Sequence, residues 1–320
     1  MNFNLLLENL TNPALLFFLL GIVAVSLKSD LEIPPNSSKF ISLYLLFSIG
    51  FKGGQELSHE HFNGEVALSM LFGLAVSVVI PLYTFFVAKR KMNIFDAGAI
   101  AAAYGSISAV TFVTAVSYLE TRQMVVSGHM VALMAMMEVP AIVTGLLLIS
   151  MFNKDAAEKV DNVSAIKHSL TNGSVLMILG SLFIGFIANA KQAEGIKPFT
   201  TDIFKGFLAI FLLDMGIASG RKLNTFLSNG FFPLVFAVVV PVLNGCAVAL
   251  LNGAVTHSIS SRFILAILAA SASYIAVPAA MKMAVPRANP GVFLPMALAI
   301  TFPVNITLGM PLYYLIIQSL

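Results

Sequence analysis

The residues able to do chemistry in this chain are few, and they sit in three apolar stretches. Ile100–Thr114 reads IAAAYGSISAVTFVT and carries Gly105, Ser106, Ser108 and Thr111. Ala269–Ala280 reads AASASYIAVPAA and carries Ser271, Ser273, Tyr274 and Pro278. In AMMEVPAIVTG a single carboxylate, Glu138, stands among apolar residues. Serines, a glycine and a proline inside runs of membrane-helix length predict two interrupted helices, because only a buried or water-lined break leaves helical hydrogen bonds unmade at such depth. A half-helix N-terminus presents bare N–H groups and about half a positive charge. Two such ends facing each other form an anion site without a buried Lys or Arg. Each contributes ~0.3–1 kcal/mol, which suits a weakly held, transported anion. Close helix packing by Gly, Ala and Ser is the plainer reading of either stretch alone. Glu138 costs at least ~2.5 kcal/mol at mid-membrane and demands a partner. A cation such as Na⁺ held with hydroxyls and carbonyls would serve, as would a proton; a hydrogen bond to another helix is the structural alternative.

Other polar residues carry less. Asp214 lies nearer the end of an apolar run, where a structural pair or an interface role fits as well as a functional one. Lys52 is expected to snorkel to the surface. Tyr104 and Tyr274 flank the two breaks and could gate, donate a hydrogen bond or simply pack. His59-Glu60-His61 falls in a polar segment and reads as a solvated loop, not a metal cluster. His129 reads as a packed histidine. Cys246 is the one cysteine, which excludes an intrachain disulfide and leaves an inert packed thiol. No HExxH, GxSxG, P-loop or dinucleotide fingerprint occurs, so nothing points to an enzyme.

The elements that position these residues follow from composition. The 320 residues are 58% hydrophobic and only 10% charged, which marks a polytopic membrane protein. A net charge of +3 is too small to suggest nucleic acid. The first basic residue is Lys28, so the first apolar run reads as a retained helix, not a cleavable signal. The pattern predicts an all-α fold of ten transmembrane helices: Pro13–Leu27 (or from Leu5), Phe40–Leu57, Val66–Val87, Ile94–Leu119, Val125–Phe152, Gly173–Ala190, Ile203–Leu223, Gly230–Leu251, Ser261–Met283 and Gly291–Ile317. Twelve of the eighteen Lys and Arg fall in odd-numbered connections, which places those in the cytoplasm and both termini outside.

An internal repeat organises the map. Ile100 set on Ile267 aligns Ala102/Ala269, Ala103/Ala270, Ser106/Ser273, Ala109/Ala276 and Val110/Val277. LLFSIGFKGGQEL from Leu45 aligns with FLLDMGIASGRKL from Phe211, matching Gly50 to Gly216 and Gly54 to Gly220. At the offset that sets Ile100 on Ile267, Glu138 falls on Asn305. Five spans per repeat is an odd number, so the second repeat enters from the other side. The expectation is a 5+5 inverted repeat: residues 1–152, a cytoplasmic linker at 153–172, and residues 173–320. The two broken helices then cross at mid-membrane, the arrangement of a transporter binding site.

Four segments carry a family resemblance: GSISAVTFVTAVSYLE from Gly105, MEVPAIVTG from Met137, AASASYIAVPAAMKMAVPRANP from Ala269 and ITFPVNITLGMPL from Ile300. In order and spacing the chain resembles the SbtA-type sodium-dependent bicarbonate transporters, over nearly its whole length. The resemblance implies elevator-type alternating access in a homotrimer of the bacterial cytoplasmic (inner) membrane. Spans three to five and eight to ten would form the moving core, and spans one, two, six and seven the gate. It implies an anion site at Gly105, Ser106, Ile107, Ser108, Ala109, Thr111, Ser271, Ala272, Ser273 and Tyr274. Sodium, the coupling ion, would lie beside it at Glu138, Ser108 and Ser271, with Asn305 as the repeat partner of Glu138. The family's second break typically reads SSSDISGPPT, so Tyr274 stands where an Asp is usual, Ala272 for a Ser and Val277 for a Gly. In the first break Ala109 replaces a Gly, and Glu138 stands where the family often has Asp. Relatives use a PII-like regulatory protein; the short central loop counts against that partner here. Two alternatives stay open: transport of another small carboxylate or monoanion, with protons as the coupling ion, and a membrane anion sensor of the same fold without turnover.

Overall fold

The computed structural model describes residues 11–153, 171, 173–227 and 230–320, and every regular element among them is helical. In chain order these are α1 (Pro13–Ser26), α2 (Pro35–His59), α3 (Gly64–Ala88), α4 (Ile94–Gly105), α5 (Ala109–Glu120), α6 (Gly128–Phe152), α7 (Gly173–Ile187), α8 (Ala190–Lys197), α9 (Phe204–Leu227), α10 (Phe231–Leu251), α11 (Ile259–Ala270), α12 (Ala276–Ala284) and α13 (Pro290–Gln318, with π-helical turns at Met296–Thr301 and Asn305–Gly309). Polar side chains start most of them. Asn12, Asn63, Asn93, Ser108, Asn189, Ser258 and Asn289 each accept a backbone N–H of the first turn.

A helix occupies each of the ten stretches expected from the sequence. By length and composition, six stretches among the described residues can cross a membrane: Gly64–Ala88, Ile94–Glu120, Gly128–Phe152, Ala190–Leu223, Phe231–Ala254 and Pro290–Gln318. The apolar helices α1, α7 and α11 are shorter. Helix α2 has the length, 25 residues, but carries too many polar groups to count among the six. The sixth connection is not a plain loop, because α8 and a π-helical turn at Pro198–Asp202 lie in it. An earlier start of the first helix, at Leu5, lies outside the described residues, as does the central linker apart from Asn153 and Thr171.

Two helix pairs pack backbone to backbone, α1 on α9 and α2 on α7. Glycine permits this at the repeat-matched Gly50 and Gly216. A Cβ on Gly50 would lie 2.6 Å from the carbonyl oxygen of Ile178 on α7, and one on Gly216 would fall on the carbonyl oxygen of Phe18 on α1. The remaining long helices surround the two interruptions. Helices α3, α4 and α6 pack on one another, as do α10, α11 and α13. In Ile94–Glu120, 89% of the most apolar window is buried, against 33% in α3, so the first interrupted helix runs inside the protein and α3 along its outside.

Several polar residues sit differently from the sequence expectation. Lys52 does not snorkel freely: its Nζ lies 2.6 Å from Glu120 Oε1, tying α2 to the end of α5. Glu60 does not merely face solvent. It accepts the His129 backbone N–H at 3.2 Å and meets the ring Nδ1 at 2.5 Å, while His59 and His61 stay exposed. Asp214, half-way into α9, accepts a hydrogen bond from Ser38 of α2. Tyr104 is held by Thr301 at 2.8 Å, and Thr301 in turn donates to Ala237 O. Cys246 is a half-buried thiol on α10.

Because the obstacles at Gly50 and Gly216 are backbone atoms that cannot rotate away, Gly50→Leu and Gly216→Leu are each expected to destabilise the protein by about 1–3 kcal/mol or more. Thermal unfolding in detergent reads this, and an unchanged midpoint would contradict the backbone contact.

Candidate functional site

The first break spans Ser106, Ile107 and Ser108. Helix α4 ends at Gly105, which packs against Pro81 of α3. Ser106 (φ −85°, ψ 176°) and Ser108 (φ −104°, ψ 109°) are extended, and Ser108 Oγ accepts Thr111 N at 3.1 Å to start α5. The second break spans Ser271 to Ile275, between α11 and α12. Pro278 takes the third position of α12, inside the first turn, where a missing N–H costs nothing.

The two breaks hold each other. Ser273 N donates to Ala103 O at 2.8 Å, and Ser108 N donates to Ser271 Oγ at 3.1 Å. Ser271 Oγ donates back to Leu268 O at 2.9 Å, and Ser273 Oγ accepts Val277 N at 3.3 Å. Ala103 and Ala270 are repeat-matched, yet their carbonyls find different partners. Ala103 O takes the Ser273 backbone, and Ala270 O takes the Asn305 side-chain amide at 2.7 Å. Asn305 Oδ1 accepts Tyr313 O–H at 3.2 Å, so both ends of this fully buried side chain are used inside the protein.

Glu138, the repeat counterpart of Asn305, has no such arrangement. It is 5% exposed, and its Oε1 is buried without a hydrogen-bond partner. A buried orphan costs about 1–3 kcal/mol, more when charged, and calls for an ion, a water or a function. Glu138 lines a chamber of ≈ 20 Å³ together with Ile107, Ser108, Ala109, Ser273, Tyr274, Ile275, Ala276 and Ser174. Ala109 and Ala276 are the first residues of α5 and α12, so both half-helix N-termini reach this chamber. The Tyr274 hydroxyl turns toward Ser108 without a hydrogen bond of normal geometry. Ser106 Oγ is likewise buried and unpartnered.

Of the residues expected at the site, Ile107, Ser108, Ala109, Glu138, Ser273 and Tyr274 thus meet at one chamber. Gly105, Ser106, Thr111, Ser271, Ala272 and Asn305 do not line it, and form the frame around it. Ile275 and Ala276 follow directly from the position of the break. Ser174 had no signal, since it belongs to the first turn of α7, far away in sequence.

The donor set suits a hard monovalent cation. One carboxylate oxygen with several hydroxyls around a hole the size of one water matches oxygen ligation beside an unwound helix. Among the described residues no cluster of three or more His, Cys, Asp or Glu could hold a transition metal.

An apolar chain whose described regular elements are all helical, and whose two interrupted helices meet over a buried polar chamber, is built as a membrane transporter is built. The sequence profile of the Na⁺-dependent bicarbonate transporter superfamily matches residues 13–318, and the chain belongs to that superfamily. No curated protein matches the chain.

Asn305→Leu would strip Ala270 O of its donor and Tyr313 of an acceptor. A loss on the order of 1–3 kcal/mol is expected, read as a lower melting temperature. Wild-type stability would mean that Asn305 does not hold the end of α11.

Proposed function

We propose that this protein takes up bicarbonate, or a closely similar small anion, together with sodium. The observation that carries this is the unpartnered Glu138 carboxylate between two half-helix N-termini. The helix ends favour an anion. A carboxylate in the same low-dielectric chamber repels it. A cation between them removes the conflict, so each ligand improves the binding of the other, and reciprocal coupling of this kind is what symport requires. Sodium is held by Glu138 and Ser108, with Ser271 and Asn305 positioning that cage. When bound it supplies positive charge, while Ser108, Ser273 and the α5 and α12 N-termini orient the anion, with Ser106 in the frame behind them.

The wider reading is ten spans in a 5+5 inverted repeat, residues 1–152 and 173–320, with an elevator-type core of α3–α6 and α10–α13. Helices α1, α2, α7 and α9 form the gate and the contacts of a homotrimer in the bacterial inner membrane, with both termini outside. The repeat-matched glycines in two backbone-close helix pairs support the symmetry. Alternating access is supported by an asymmetry along α2. At its N-terminal end a cleft of ≈ 750 Å³ is lined by Ser38, Lys39, Ser42 and Met177 and reaches Tyr274. Roughly 20 Å further along the helix axis the Lys52–Glu120 pair ties α2 to α5. One feature favours a second reading, a non-transporting anion sensor or a carrier of another monoanion: Tyr274 fills the position where relatives have a smaller acidic residue.

Labelled bicarbonate uptake into proteoliposomes is expected to rise severalfold with an inward Na⁺ gradient; equal uptake without the gradient would refute sodium coupling. Glu138→Gln is expected to fold and to lose its sodium dependence, since an amide keeps the volume and removes the charge. Unchanged sodium activation would remove Glu138 from the coupling site.

A further inference from the structure

The chamber and the cleft share three residues, Ser174, Tyr274 and Ile275. They stand where the two spaces adjoin. Tyr274 stands on the chamber side, 7% exposed, with its ring edge-on to Phe302 at a centroid distance of 6.0 Å. Ile275 stands on the cleft side, 40% exposed. Ser174 completes the wall from α7, the helix that packs chiefly on α2.

Size makes this wall decisive. A chamber of ≈ 20 Å³ leaves little room beyond one water or one small cation, and an anion that enters with part of its hydration shell meets these three side chains. Something must yield before such an anion reaches the α5 and α12 N-termini. The rest of the second break is tied down, Ser271 to Ser108 and Leu268, and Ser273 to Ala103 and Val277. The Tyr274 hydroxyl turns toward Ser108 without a hydrogen bond of normal geometry, and the Ile275 side chain is exposed. At the far end of α2 the Lys52–Glu120 ion pair ties α2 to α5.

We propose that Ser174, Tyr274 and Ile275 form the threshold between the binding chamber and the cleft, and that this threshold sets which anions pass. Tyr274 is the moving leaf. Ser174 is the polar contact on the stationary side, and Ile275 excludes larger or more hydrated solutes. The proposal rests on the sodium-coupled anion reading for its substrate and on geometry alone for its position. It also gives Tyr274 a role without sodium ligation.

The test uses the full chain with Cys246→Ala, carrying Ser174→Cys or Ile275→Cys, in proteoliposomes. The probe is an anionic, membrane-impermeant methanethiosulfonate applied to each face in turn. Both cysteines are expected to react from the cleft face only. Reaction at Ser174→Cys is expected to slow at least tenfold with bicarbonate and sodium present, and labelled uptake to fall below a tenth once either cysteine is modified. Modified proteins that transport at the unmodified rate overturn the threshold, as does failure of both cysteines to react. The two positions are scored separately, so a variant that does not fold leaves the other to decide. If the Cys246→Ala parent transports no bicarbonate, the anion reading fails by itself. The threshold is then decided by labelling: one-sided reaction slowed by sodium supports it, and reaction from neither face overturns it.

Discussion

An interrupted helix buried in apolar surroundings must have its freed backbone groups satisfied, and here the two interruptions satisfy each other. Ala103 O and Ser108 N, on either side of the first break, are both bound by residues of the second. Neither break is stable without the other, because unmatched N–H and C=O groups at this depth cost several kcal/mol each. The rest of the structure serves this crossing. Helices α3 and α6 hold the first interrupted helix, α10 and α13 hold the second, and the polar chamber lies where they meet.

The crossing is nearly but not fully symmetric, and its chemistry lies in the difference. Asn305 and Glu138 occupy repeat-matched positions. The amide both donates and accepts, so it is absorbed into structure between Ala270 O and the Tyr313 hydroxyl. An ionised carboxylate only accepts, and no donor reaches Glu138 Oε1. Of these two sequence-matched positions, one is thus locked into structure and the other keeps an unpaired carboxylate oxygen. The same inequality reappears along α2, with a wide cleft at one end and the Lys52–Glu120 ion pair at the other. That pair is a quarter to a third exposed, so it is worth ~1 kcal/mol or less.

The sequence by itself determined the helices, the two interruptions and the isolation of Glu138. Each depends on local composition: apolar length makes a helix, and serine with glycine or proline within that length breaks it. The matched offsets also tied Gly50 to Gly216 before any contact was visible. Tertiary structure alone decided which polar groups are spent and which are kept. Lys52 and Glu120 are 68 residues apart, and nothing local marks them as a pair. Glu60 reaches His129 from a segment that reads as solvated loop, and Asn305 looks as available as Glu138 until its partners are placed. Ser174 enters the chamber only because α7 is laid beside the second break. Hydrogen-bond satisfaction is settled by neighbours distant in the chain, and a sequence read without its fold does not contain them.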